Sequence, residues 1–123
     1  MTSRAEGGSA VVEFVLVLPV VVLVVLALVE VTVVARTQLE LMHASRVGAR
    51  EAAAVADPSR AIEATLEALG PDLSAGARVN VKRPSVVGAR AEVTVTFPYQ
   101  AFSPLLGGIR LELRARSVMR VER

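Results

Sequence analysis

The chain has 123 residues, a formal charge of +2, 53% hydrophobic residues and no cysteine. Thiolate metal sites, structural disulfides and a lipid-modified cysteine anchor are therefore excluded. A single lysine, Lys82, dispersed arginines and 3% aromatics supply neither the basic patch nor the stacking platforms of a nucleic-acid binder.

The chain opens on a polar leader, residues 1–8 (MTSRAEGG), with Arg4 as its one positive side chain. An apolar run follows. From Phe14 to Val29 there is no charge; Glu30 interrupts, and VTVVA continues to Ala35. As a helix, 14–35 is roughly 33 Å long, about the thickness of a bilayer's hydrocarbon core. The run exceeds the h-region of a secretory signal, and no good small-x-small site closes it; Ala27-Leu28-Val29 is a poor candidate. The segment is expected to stay attached as a membrane anchor. By the count of basic residues, Arg36, Arg46 and Arg50 beyond the run outweigh Arg4 before it, which favours an outside N-terminus.

Glu13 stands at the mouth of this run. A carboxylate costs on the order of 2–3 kcal/mol at mid-membrane and less near the interface. Either it snorkels to water there, or an opposite charge pairs with it. Pro19 removes one helical hydrogen bond and crowds the carbonyl four residues earlier, which predicts a kink or local unwinding near Val15–Pro19.

From Val31 to about Ala56 nothing stops a helix. Val31, Ala35, Leu39, Met42, Ser45, Ala49 and Ala52 recur at helical spacing among charged residues. One rod from about Ala10 to Ala56 would be roughly 70 Å long, apolar all round at first and amphipathic later. It carries two small-residue ladders, Ala44-Gly48-Ala52 and Ser45-Ala49-Ala53. Such ladders let another backbone approach closely, either this chain's own sheet or a helix of another subunit. His43 is the only histidine and has no second ligand near it in sequence, so it reads as a surface or interface residue.

Asp57-Pro58 is a helix-start signal, with Ile62, Leu66 and Leu69 at helical spacing and Gly70-Pro71 as the stop. Three strands are expected next: Arg78–Arg83, Ala89–Phe97 and Ile109–Val121. In the second, Ala91, Val93, Val95 and Phe97 share a face. In the third, Ile109, Leu111, Leu113, Ala115 and Met119 oppose Arg110, Glu112, Arg114, Arg116 and Arg120. Such alternation suits an antiparallel sheet with one covered face, and residues 39–56 of the first helix can cover it. The arginine face is either simply solvated or a surface for an anionic partner. The connection Pro98–Gly108, with Tyr99, Phe102, Leu105 and Leu106, either binds a partner or tucks against the sheet edge.

No catalytic constellation is present: there is no cysteine, one histidine, and no phosphate-binding glycine loop after a strand. No cofactor, metal or small-molecule substrate is expected, and the chain is not expected to be an enzyme.

Gly8-Ser9-Ala10-Val11-Val12-Glu13-Phe14, running straight into an apolar helix, resembles a type IV prepilin processing site. AVVEFVLVLP at 10–19 more specifically resembles the TadE-like family, pilin-like proteins of tight-adherence (Tad/Flp) pili. LELMHASRVGAREAAA at 39–54 is similar to the second half of that family's helix, and Val93–Leu106 and Ile109–Glu122 to its C-terminal strands. Ser9 departs from the aromatic first residue of major type IV pilins.

The resemblance implies an α+β, pilin-like fold: a long helix, membrane-spanning in its first half, on an antiparallel sheet of about three strands with one short second helix. It implies cleavage between Gly8 and Ser9 by a prepilin peptidase at the cytoplasmic face. Residues 1–8 would then be the leader, 9–56 the long helix and 57–123 an extracytoplasmic module. Glu13, next to Phe14, would pair with the new α-amino group of Ser9, on its own chain or a neighbour. The implied partners are the bilayer, the peptidase, other pilin-like subunits and the pilus assembly platform. The implied place is the cytoplasmic membrane, N-terminus inside, or the pilus itself. Two rival readings are a pseudopilin of a related secretion machine and a signal-anchored domain without an assembly role.

Overall fold

A computed structural model describes residues 2–101 and 109–122, with side chains from Glu6 onward. Helix α1 runs from Thr2 to Ala54 and α2 from Pro58 to Ser74; the strands are β1 (Arg78–Lys82), β2 (Arg90–Gln100) and β3 (Arg110–Arg120). They form one antiparallel sheet in the order β1-β2-β3. The α+β architecture expected from the sequence is the one observed.

The first helix begins earlier than expected. The leader residues from Thr2 onward are helical, since nothing between Thr2 and Ala10 stops a helix and two glycines only weaken one. Local unwinding at Pro19 is not observed: every residue from Thr2 to Ala54 stays α-helical. The neighbouring turns hold the helix through the single hydrogen bond that proline removes.

The distal end of α1 is closed by the rest of the chain. Val55 N–H donates to the Glu51 carbonyl (2.9 Å), Arg83 Nε to Ala52 (2.7 Å) and Glu122 N–H to Ala53 (3.0 Å). Three carbonyls that a helix end leaves without partners are thereby satisfied. Asp57 then caps α2 by accepting from Ser59 N–H at 3.0 Å, with Pro58 in the first turn. Gly70-Pro71, expected to stop α2, breaks it without ending it. Gly70 takes φ 77°, and a last helical turn resumes after it.

Both helices lie on one face of the sheet, α1 over β2 and β3 and α2 beside it over β1. Ala91, Val93, Val95 and Tyr99 of β2 point inward and are buried, with Ala115 of β3 and Leu41, Ala44, Ala49 and Ala52 of α1. Full burial of side chains such as Leu41, Val93, Val95 and Val121 contributes about 1.5–3 kcal/mol each.

Strand β2 is longer than the sequence suggested, because it continues through Pro98 and Tyr99 to Gln100. Pairing with β1 ends at Thr96, so Pro98 has a neighbour on one side only, where a missing N–H is tolerated. On β3 only the middle of the apolar face is covered. Leu113 is half-buried and Ala115 buried, whereas Ile109, Leu111 and Met119 are exposed. As an edge strand, β3 has no neighbour beyond it, and its apolar face is covered only in part. Of the apolar connection, Tyr99 is tucked inside; Phe102, Leu105 and Leu106 lie outside the described residues.

The strands run lengthwise along α1. Glu122 lies at Ala53, Ser117 at Ser45, Arg114 at Gln38 and Tyr99 at Glu30. Residues 30–53 of the helix and 90–100 of β2 both span about 34 Å, so the sheet covers the distal half of the rod end to end.

Candidate functional site

Among the described residues, the proximal half of α1 is left almost entirely uncovered. The large apolar side chains exposed between Val11 and Val29 show 42 to 70% of their surface, and only Leu26 among them is half-buried. A helix apolar on every side has no stable place in water; it needs lipid or a surrounding bundle. α1 is long and apolar enough to cross a membrane.

Gly8, Ser9, Glu13 and Phe14 all lie on this bare stretch and are exposed. A side chain built at Gly8 would meet nothing from outside the helix. The fold brings no basic group to Glu13 among the described residues.

The distal half is the opposite case. Its inward stripe reads Glu30, Val34, Thr37, Leu41, Ala44, Ser45, Gly48, Ala49 and Ala52, one face of a helix at three- and four-residue spacing with adjacent pairs at 44–45 and 48–49. Both small-residue ladders are consumed here. Ala44, Ser45, Gly48, Ala49, Ala52 and Ala53 are all buried inside this chain. A Cβ at Gly48 would strike Thr65 Oγ1 of α2 and come within 3.1 Å of Val93 Cγ1 of β2, so this glycine sets the spacing of three elements at once. Thr65 in turn donates to the Ala61 carbonyl at 2.6 Å. Ser45 Oγ meets Ser117 Oγ at 2.8 Å, and Gln38 Nε2 donates to the Arg114 carbonyl at 2.8 Å.

One polar contact went unread in the sequence. Tyr99 Oη donates to Glu30 Oε1 at 2.9 Å, with both residues buried. Glu30 had appeared only as an interruption of the apolar run. A signal did exist: a carboxylate inside such a run needs a partner, and the chain has one tyrosine to offer. Burial, and then the neighbouring Glu30 carboxylate, raise the Tyr99 hydroxyl above its usual range.

These features define a class of protein: a small α+β module built around the distal half of a helix whose proximal half is bare, apolar and long enough to span a bilayer. The particular family follows from comparison. Residues 8–50 match the family described as TadE-like protein, so the resemblance read from the sequence holds over the segment that includes Gly8, Glu13 and most of α1. No curated protein and no solved structure matches the chain.

Proposed function

We propose that this chain is a pilin-like, TadE-like subunit of a Tad/Flp-type pilus. It is held in the cytoplasmic membrane by the proximal half of α1 and takes part in pilus assembly or initiation. The observation that carries this reading is the TadE-like match over 8–50 on a helix whose residues 11–29 have no cover of their own.

In this reading the span stops before Glu30. From Glu30 onward one face of α1 is occupied by the sheet, which supports a bilayer segment ending near Val29. Counting back about 20 residues, or roughly 30 Å, reaches Ala10. Residues 10–29 then form the span, instead of 14–35, with the N-terminus cytoplasmic and the sheet outside. Glu13 sits one helical turn inside the inner boundary. Cleavage after Gly8 by a prepilin peptidase leaves a 115-residue chain whose Ser9 ammonium is within reach of a Glu13 carboxylate, its own or a neighbour's. In a poorly solvated setting that pair attracts strongly and fixes the register of adjacent helices. The chain is a peptidase substrate in this scheme, without catalytic chemistry of its own.

The test is the mature N-terminus. N-terminal sequencing and intact mass of the protein from membranes of a host carrying a prepilin peptidase should give a chain starting at Ser9. A chain that keeps MTSRAEGG would remove the processing step and leave a plain anchored domain.

A further inference from the structure

The module is electrically two-faced. The even-numbered residues of all three strands point away from the helices. They carry Arg78, Lys82, Arg90, Arg110, Arg114, Arg116 and Arg120 against only Glu92 and Glu112, a net of +5 (seven minus two). Two of these cations are already engaged, Arg116 with Glu92 at 2.7 Å and Arg114 with Glu112 at 3.6 Å. Arg78, Lys82, Arg90, Arg110 and Arg120 make no ion pair among the described residues.

On the opposite side of the module, α1 exposes Arg36, Arg46 and Arg50, while α2 carries an acidic excess, Glu63, Glu67 and Asp72 against Arg60. Glu51 of α1 and Glu63, Glu67 and Asp72 of α2 make no ion pair among the described residues either. Glu51, Glu63 and Glu67 line one shallow hollow of about 250 Å³ with Arg60.

The two faces also match in height. α2 starts beside the end of α1 and runs back along it, so Glu63 and Glu67 lie level with α1 residues in the forties. The sheet at that height, fixed by the Ser45–Ser117 contact, presents Lys82, Arg90, Arg116 and Arg120.

We propose that the sheet's outer face docks the acidic α2 face of a second copy of this chain, standing parallel to the first. Copies anchored by α1 in one bilayer are held upright and at equal height, which is the arrangement that brings these two flanks together. This step rests on the membrane-anchor reading above. The contact is heterologous, face to opposite face, so it propagates from copy to copy and does not stop at a pair. A lipid headgroup layer is a poorer occupant. The strands stand along the helix, and only Arg110, at the end near Glu30, would come close to the bilayer.

The cysteine-free sequence makes disulfide cross-linking in membranes a clean test. One full-length copy carries Glu67→Cys, and a second, differently tagged, carries Lys82→Cys or Arg120→Cys. A mixed cross-link between the copies is expected, with none between two Glu67→Cys copies. Adding Glu51→Lys and Glu63→Lys to the first copy should slow the mixed cross-link about tenfold. Adding Arg90→Glu to the second should restore much of it. Raising salt to about 1 M should weaken it as well.

Cross-linking between two Glu67→Cys copies, or indifference to α2 charge reversal, would overturn the proposal. An effect of sheet reversal without an effect of α2 reversal would overturn it too, in favour of another acidic partner. Leu18→Cys, on the bare helix, serves as the control. If Leu18→Cys copies cross-link and the face pair does not, the docking surface is wrong while membrane assembly stands. If neither cross-links, both fall.

Discussion

Tyr99 Oη donates a 2.9 Å hydrogen bond to Glu30 Oε1, joining the far end of β2 to the middle of α1 across 69 positions of sequence. Below this contact the helix is bare and apolar; above it one face is covered by the sheet. The pair thus marks where the bare apolar stretch stops and the folded module begins. A hydrogen bond to an ionised group is worth about 1.5–3 kcal/mol, so Tyr99→Phe should lower the unfolding free energy of the detergent-solubilised protein by about that much.

The same pair has an optical reporter. Tyr99 is the only tyrosine and there is no tryptophan, so tyrosinate absorbance in a pH titration reads this hydroxyl alone. Its pKa is raised in the fold, first by burial and then by Glu30, so the neutral form is held more tightly in the folded than in the unfolded chain. The stability this contributes is present below the ordinary tyrosine value near 10 and is lost as pH rises through the folded value. The titration midpoint should lie above that of free tyrosine. Glu30→Gln should bring it closer, because the carboxylate charge and its hydrogen bond are removed.

Gly48 is the tightest point between the helices and the sheet. Alanine is the better helix former by about 1 kcal/mol, yet here its methyl would run into Thr65 Oγ1. Gly48→Ala should therefore destabilise the module by about 1–3 kcal/mol, the usual cost of overpacking a dense core. Adding Thr65→Ala removes the obstructing hydroxyl and should recover part of the loss in the same denaturation measurement.

Asp57 gives the acid side of the pH profile. Its carboxyl is held below the usual carboxylate range by hydrogen bonds with Ser59, first with the side chain and then with the backbone N–H that opens α2. The folded state favours the ionised form. Its contribution is complete above the unfolded value near 3.8 and fades as pH falls through the folded one. Asp57→Asn keeps a good cap and should lose that acid dependence, whereas Asp57→Ala should weaken α2 at neutral pH, as followed by helical circular dichroism.

On the proposed pilus-subunit reading, Glu13 should separate folding from assembly. It lies exposed on the bare stretch, so Glu13→Gln should shift unfolding by no more than about 0.5 kcal/mol. Incorporation into pili should nonetheless fall sharply. Normal incorporation of this variant would rule out the pairing of Glu13 with a Ser9 ammonium.

The sequence by itself determined what depends on neighbours along the chain. The length of the apolar run, the Asp57-Pro58 start, the break at Gly70 and the alternation of β2 are all local, and each is where the residues placed it. Tertiary structure decided how far each feature is used. The ladder from Ala44 to Ala53 suited either a neighbour's helix or the chain's own sheet. It is filled by α2 and β2, because the helix folds its own module onto itself there. Alternation marked Ile109, Leu111 and Met119 for burial. They stay exposed because β3 is an edge strand with no further strand beyond it, so its apolar face is covered only in part. Glu30 looked like a flaw in an apolar run until Tyr99, 69 residues later, was folded against it. The sequence signals that Glu30 needs a partner, but a contact at that separation leaves no periodic trace, so the path of the chain in space is what identifies Tyr99.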